Sequence, residues 1–357
     1  MIGEIVRDTM SPGQRMQCLI RGESIDRVPF NPFANGFVAR MSGMDRGDFY
    51  RHPEKAFGAG LEFMKTFSWM NTRPTYGWAD RGIWEFGGEI VWPDRERYAA
   101  PMGAHPLIDR PDDVDRLPDP DPARAGMNPL VARFNQLSRE KGFPASLPGA
   151  SPTASSSAIA GRENFLRWMI KYPDAVHKLQ SKVTDFIINT SRRTIEDYGG
   201  ENCSAMVSVP LESNQIMSEK MFVRFCKPYL NQVIEFYVSS GVRSFMVHLC
   251  GDHRQNLPHW QDFPLPPRTV YSIGHEMDLE WTGAQIGPQN ILAGNIHTSL
   301  LQTGTPDQVR DETARCLQAG MKHPGGFILM PACEFPPDTP LENLEALALT
   351  LCEQGYY

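Results

Sequence analysis

The sequence predicts an α/β fold, a (βα)8 TIM-type barrel with an N-terminal extension, and three observations predict it. Beyond residue 160, short apolar runs alternate with stretches of helical period, the pattern of a parallel sheet covered by helices. The residues with chemical potential fall just after those apolar runs, where barrels carry their active sites. No Gly-x-Gly-x-x-Gly and no Gly-Lys-Ser/Thr phosphate loop is present, which removes the nucleotide-binding members of the open doubly wound class.

The elements follow in order. Residues 1–150 are rich in proline, glycine and aromatics, with Tyr76, Trp78, Trp84, Phe86 and Trp92 close together. The proline- and acid-rich stretch Pro101 to Pro129 reads as an extended surface connection, because apolar segments on both sides of it need a shared core. The chain is therefore expected to be one barrel domain over 1–357. Pro173-Asp174 opens a helix whose apolar face is Val176, Leu179, Val183, Phe186 and Ile187. Ser218 opens another, with Phe222, Phe225, Tyr229, Val233 and Phe236 inward and a kink expected at Pro228. Strands are expected at 241–247, 269–273, 291–295 and 327–330. Thr305, Pro306 and Gln308 form a capping-box pattern for a helix ending at Gly320, and Thr339-Pro340-Leu341-Glu342 repeats it for the last helix.

With 357 residues and 41% hydrophobic content the chain can bury a sizeable core. A net charge of −7 without a basic stripe argues against nucleic acid. No apolar run is long enough for a bilayer span, and Met1 to Met10 does not read as a secretory signal, so a cytoplasmic protein is expected. Seven cysteines, an odd number, then imply free thiols.

His248-Leu249-Cys250 places two donors at i and i+2, on one side of an extended strand end. Cys333 follows a different strand, and in a barrel two non-adjacent strand ends meet across the mouth. One imidazole and two thiolates suit Zn²⁺, and three protein ligands leave a position open, as in catalytic sites. Glu276, after an intervening strand, is a candidate fourth ligand and catalytic carboxylate; its plainer role is a loop hydrogen bond. His275 and Asp252 are weaker candidates, and His253, His259 and His297 read as loop residues. Tyr76, Trp78 and Trp84 are candidates to wall a substrate pocket, against the alternative that they pack the N-terminal part onto the barrel.

The segments Val247-His248-Leu249-Cys250-Gly251, Gly294-Asn295-Ile296, Gly304-Thr305-Pro306-Asp307-Gln308-Val309, Gly325 to Cys333 and Pro336 to Asn343 resemble the uroporphyrinogen decarboxylase superfamily. Asp26-Arg27-Val28-Pro29 is similar to its N-terminal pattern. His-x-Cys followed by a distant Cys resembles the methylcobamide:coenzyme M methyltransferase branch. The resemblance implies the barrel, zinc at His248, Cys250 and Cys333, a corrinoid such as methylcobalamin, and Asn295 as a substrate contact. The chain has no corrinoid-binding Asp-x-His-x-x-Gly motif, so the corrinoid is expected on a partner protein or free. The implied reaction moves a methyl group between a small methylated substrate or thiol and the corrinoid. Gly325 to Met330 with Cys333-Glu334 also resembles O-demethylating members, and with Tyr76 to Trp92 as the wall of its pocket the methyl donor would be a methoxylated aromatic. The alternative is a decarboxylase of a polycarboxylate, disfavoured because Pro29 to Gly36 lacks the arginines that such an enzyme uses on its substrate.

Overall fold

The computed structural model describes residues 7–94 and 97–357; most of the Met1 to Met10 stretch thus lies outside the described residues. A small antiparallel pair, β1 (Ile90–Val91) and β2 (Met102–Gly103), precedes the main sheet. The main sheet is formed by β3 (Ala145–Ser146), β4 (Cys203–Ser208), β5 (Ser244–Leu249), β6 (Val270–Ile273), β7 (Ile291–Ile296) and β8 (Phe327–Pro331). These strands pair in chain order, each parallel to the next. This is the α/β barrel class that the sequence predicts.

Two further segments extend the wall without forming regular strands. Asn31 donates its N–H to the Leu329 carbonyl at 3.2 Å, and Leu329 donates to Pro29 at 2.9 Å, so Phe30 runs parallel beside β8. Asn71 then donates to the Phe30 carbonyl at 2.7 Å. Pro29, Pro32 and Pro74 remove backbone donors here, which keeps the ladder short.

Burial on both faces explains the near-continuous apolar strands. Val207, Val247, Leu249, Tyr271, Ile273, Leu292, Ile296, Phe327 and Leu329 join the large cluster under the helices. Val270, Ile291, Ala293, Ile328 and Met330 form a second cluster inside the barrel, with Leu19. Leu19 comes from helix Pro12–Arg21, whose last carbonyls accept from Arg268 just ahead of β6. That helix seals the N-terminal ends of the strands, so the open end is the one that carries His248 and Cys333.

The helix Pro173–Tyr198 buries Val176, Leu179, Val183, Phe186 and Ile187, as its period demands. Around Pro228 the helix is not continuous α: residues Phe222–Cys226 form a π-helical turn just before the proline, and Lys227–Ser239 resumes α geometry. The widened turn accommodates the carbonyls that a proline cannot serve. Thr305 caps Pro306–Gly320 in a complete capping box. The last helix departs from expectation. It runs Leu341–Gln354 with Pro340 at the cap position, and the Thr339 hydroxyl instead donates to the Pro336 carbonyl at 2.9 Å. The Pro101 to Pro129 stretch is anchored by a 3₁₀ turn at Pro111–Arg116 and by buried Ile108, Val114 and Leu117. No helix among the described residues is long and apolar enough to cross a membrane.

Candidate metal centre

His248 lies near the end of β5, in register with Ser208 on β4 and Ser272 on β6. Its neighbours Val247 and Leu249 face the helices, so strand alternation turns His248 towards the barrel axis. The ring Nδ1 lies 3.1 Å from the Ser272 hydroxyl, which leaves Nε2 for a ligand and fixes the ring plane. Phe33 meets the same ring edge-on, with centroids 6.0 Å apart.

Cys250 follows β5, and the chain then turns at Gly251 with φ 91°. His253 places Nε2 3.2 Å from the Cys250 carbonyl, and burial pushes this imidazole down to about 4, so it sits neutral and holds the turn. Cys333 lies two residues beyond β8, with its Sγ 3.9 Å from that of Cys250. The donor atoms of His248, Cys250 and Cys333 all lie within 4.8 Å of one another. Cys333 is held well below the usual thiol range by the facing Cys250 thiol and by His248. Cys250 is pushed well above it by Cys333, by burial and by the charge of Glu276. Two facing sulfurs thus surrender one proton readily and the second only with difficulty. A divalent cation reverses that resistance, and a soft set of two thiolates and one imidazole at this spacing fits zinc.

Glu276 stands outside this triangle but close enough to raise the Cys250 thiol. Its carboxylate is 3.6 Å from Nδ1 of His275, whose ring lies 3.8 Å centroid to centroid from His297. Gly274 permits the approach: a Cβ there would lie 2.5 Å from the Glu276 Oε2 and 2.7 Å from the Gly251 nitrogen. Asn295 has a different task from the substrate contact expected of it. Its amide donates to the carbonyls of Gly274 at 3.1 Å and Met277 at 2.7 Å, and its oxygen accepts from Arg315 at 3.1 Å. Asn295 is fully buried and clamps the turn that carries Glu276. Asp252 is engaged by Arg254, His259 pairs with Glu219 at 2.8 Å, and His297 caps the helix Thr298–Thr303.

The aromatic segment packs on itself. Trp78 stacks on Trp84 at 6.2 Å, both meet Trp92, and Trp78 meets Tyr50 edge-on at 5.7 Å. Tyr76 stacks on Phe134 at 5.0 Å and donates its hydroxyl to the Tyr50 carbonyl. Replacing Trp78 by Ala is therefore expected to cost about 2–4 kcal/mol of stability and to leave KM unchanged. Thermal denaturation beside steady-state kinetics checks this; an intact melting curve with a raised KM would restore the pocket-wall role.

Sequence reasoning missed Phe33 and Glu334. Glu334 follows Cys333 and accepts from the Gly36 N–H at 3.4 Å. It keeps some accessible surface, yet enough protein surrounds it that burial, with the Cys333 charge, pushes its carboxyl up to about 7. The adjacency to Cys333 was the available signal for Glu334; nothing local marks Phe33.

This chain is similar to curated methyltransferases and to a solved structure. A methylated-thiol–coenzyme M methyltransferase of Methanosarcina mazei is 25% identical over 198 residues, 55% of this chain and 49% of that protein. A methylcobamide:CoM methyltransferase of Methanosarcina barkeri is 27% identical over 199 residues, 55% of this chain and 54% of that protein. The chain spans about half the length of the curated relatives it matches. A solved methyltransferase from Methanosarcina mazei shares the fold with a TM-score of 0.75 at 21% identity, over 96% of this chain and 99% of that one. The sequence model of one family matches residues 11–353, nearly the whole chain, and the protein belongs to that family, uroporphyrinogen decarboxylase (URO-D).

Proposed function

We propose that this protein is a zinc-dependent methyltransferase that moves a methyl group between a small methylated substrate or thiol and a corrinoid. The observation that carries this reading is the convergence of three soft donors at the open end of the barrel. His248 Nε2, Cys250 Sγ and Cys333 Sγ would hold the metal. Bound there, zinc supplies the Lewis acidity that lowers the pKa of a thiol or polarises a methylated sulfur or oxygen.

The chain's own residues supply the rest. Two thiolates and a neutral imidazole offset the charge of a divalent ion, which keeps a bound sulfur nucleophilic. Ser272 fixes the imidazole, and His253 and Asn295 hold the two turns beside it. Glu276, whose charge raises the Cys250 thiol, would take the proton of an incoming thiol and occupy the open position at rest. The corrinoid arrives on a partner protein or free in solution. A methoxylated aromatic is a narrower choice of methyl donor, which the self-packed tryptophans do little to favour. The decarboxylase alternative leaves the paired thiols without a task.

The test is methyl transfer from free methylcobalamin to small thiols, followed by the cobalamin absorbance change, with zinc X-ray absorption alongside. A thiol should add a sulfur to the zinc shell in place of a lighter atom. Glu276→Gln is expected to keep zinc and to slow transfer by about 10²–10⁴-fold. No transfer by the fully zinc-loaded protein, in either direction, would sink the assignment.

A further inference from the structure

The organic group carried by the reacting sulfur or oxygen needs a place beside His248, Cys250 and Cys333, and two half-buried apolar side chains mark it. Phe30 runs parallel beside β8 opposite Leu329, so three residues later Phe33 stands level with the loop that carries Cys333. Its carbonyl accepts from the Phe335 N–H at 2.6 Å, two residues beyond Cys333. Its ring meets the His248 ring edge-on, with 6.0 Å between centroids. Phe33 therefore bridges the loop of one donor and the imidazole of another, and Pro32 stiffens the backbone that presents it.

Met246 adjoins this ring. It stands two residues before His248 on β5, and strand alternation turns both side chains to the axis. Phe33 and Met246 both pack on the interior cluster of Val270, Ile291, Ala293, Ile328 and Met330. The five cluster members are buried, whereas Phe33 and Met246 keep accessible surface. Apolar surface left open at the mouth, above a packed floor, is surface that the carbon atoms of a ligand can cover. The backbone of Phe33 is tied to the Cys333 loop, and its ring is seated between the cluster and an imidazole that Ser272 holds. The ring thus has little room to turn aside for a wide group.

We propose that Phe33, backed by Met246, is the specificity-determining wall of the metal site. The first carbons of the substrate's organic group lie on these two side chains, and the Phe33 ring admits an unbranched alkyl chain and turns away a branched or aryl one. This rests on the methyltransferase reading above.

The test is calorimetric titration of the zinc-loaded protein with four uncharged primary thiols that differ in width: ethanethiol, butane-1-thiol, 2-methylpropane-1-thiol and phenylmethanethiol. Wild-type protein should bind butane-1-thiol about ten- to a hundredfold more tightly than either wide thiol. Phe33→Ala should bind the wide thiols at least as well as the straight one, and Phe33→Leu should fall between. Phe33→Trp should extend the exclusion to butane-1-thiol. Zinc content should match the wild type in every variant, because Phe33 touches the imidazole and not the ion. Methyl transfer from methylcobalamin to the same thiols forms a second arm, in which the size preference should appear in KM and not in kcat. Equal binding of wide and straight thiols by wild type, or a preference unchanged in Phe33→Ala, overturns the proposal. Loss of zinc from Phe33→Ala also overturns it, since the ring would then be only a prop for His248. If Phe33→Ala does not fold, Phe33→Leu, which keeps an apolar contact with the cluster, reads the same preference. Size-selective binding that the variants relax, without methyl transfer to any thiol, counts against the methyltransferase reading and leaves the wall in place.

Discussion

Cys333→Ser is expected to purify with less than about a tenth of a zinc per chain where the wild type carries about one. The two sulfurs stand 3.9 Å apart and share their ionisation, so removing one also leaves Cys250 a conventional thiol facing a hydroxyl. His248→Ala and Cys250→Ser should behave alike. Ser272→Ala should lose only about ten- to a hundredfold in affinity, because it orients the imidazole without touching the ion. None of these changes should unfold the protein. The barrel's interior cluster runs from Leu19 through Val270, Ile291, Ala293, Ile328 and Met330 and includes none of the three donors. Elemental analysis of the purified variants, beside their melting curves, checks both halves. Full zinc occupancy in Cys333→Ser would remove the triad as the metal centre.

The triad was legible because strand chemistry makes it so. Two-residue periodicity puts His248 and Cys250 on one side, and apolar runs before each donor mark the strand ends. The helices with uninterrupted period, such as Pro173–Tyr198, were legible for the same reason. What stayed hidden depends on long-range neighbours. The wall segments at Phe30 and Asn71 are held by a few backbone hydrogen bonds among prolines and carry no period of their own. Arg73 sits in one of them, among residues that read as loop, so its hydrogen bond to Ser204 had no local signal. Asn295 was noticed for its place in a familiar stretch, but which way its side chain turns is decided by the carbonyls of Gly274 and Met277. The tryptophans were visible as a group; that Trp78 packs against Tyr50 had no signal in the sequence.

Glu212→Gln should change the pH dependence of stability more than any other single substitution away from His248, Cys250 and Cys333. Glu212 follows β4 in a stretch that reads as a loop, yet it is fully buried. Neither carboxyl oxygen makes a well-formed hydrogen bond among the described residues, although Ser151 and Thr153 lie close enough to favour its ionised form slightly. Asn256 pins its backbone carbonyl at 2.7 Å, so the side chain cannot swing out without breaking the turn. Burial pushes the carboxyl from 4.5 up to about 7. A folded-state pKa above the unfolded one means that the folded protein holds the proton more tightly. The stability this contributes is complete below about 4.5 and is lost as pH rises through about 7. The span of 7 − 4.5 = 2.5 units corresponds to about 3 kcal/mol. Gln copies the protonated form at every pH, so the variant should gain on the wild type by about 2–3 kcal/mol between pH 5 and pH 8. The comparison must be between the two proteins, because Glu334, also near 7, pulls the same way in both, and His253, near 4, pulls the opposite way as pH falls below its unfolded value. Those contributions cancel in the difference, which isolates Glu212. Denaturant unfolding of both proteins across this range gives the two curves. Curves that run parallel from pH 5 to pH 8 would mean that Glu212 keeps an ordinary carboxylate pKa in the folded protein.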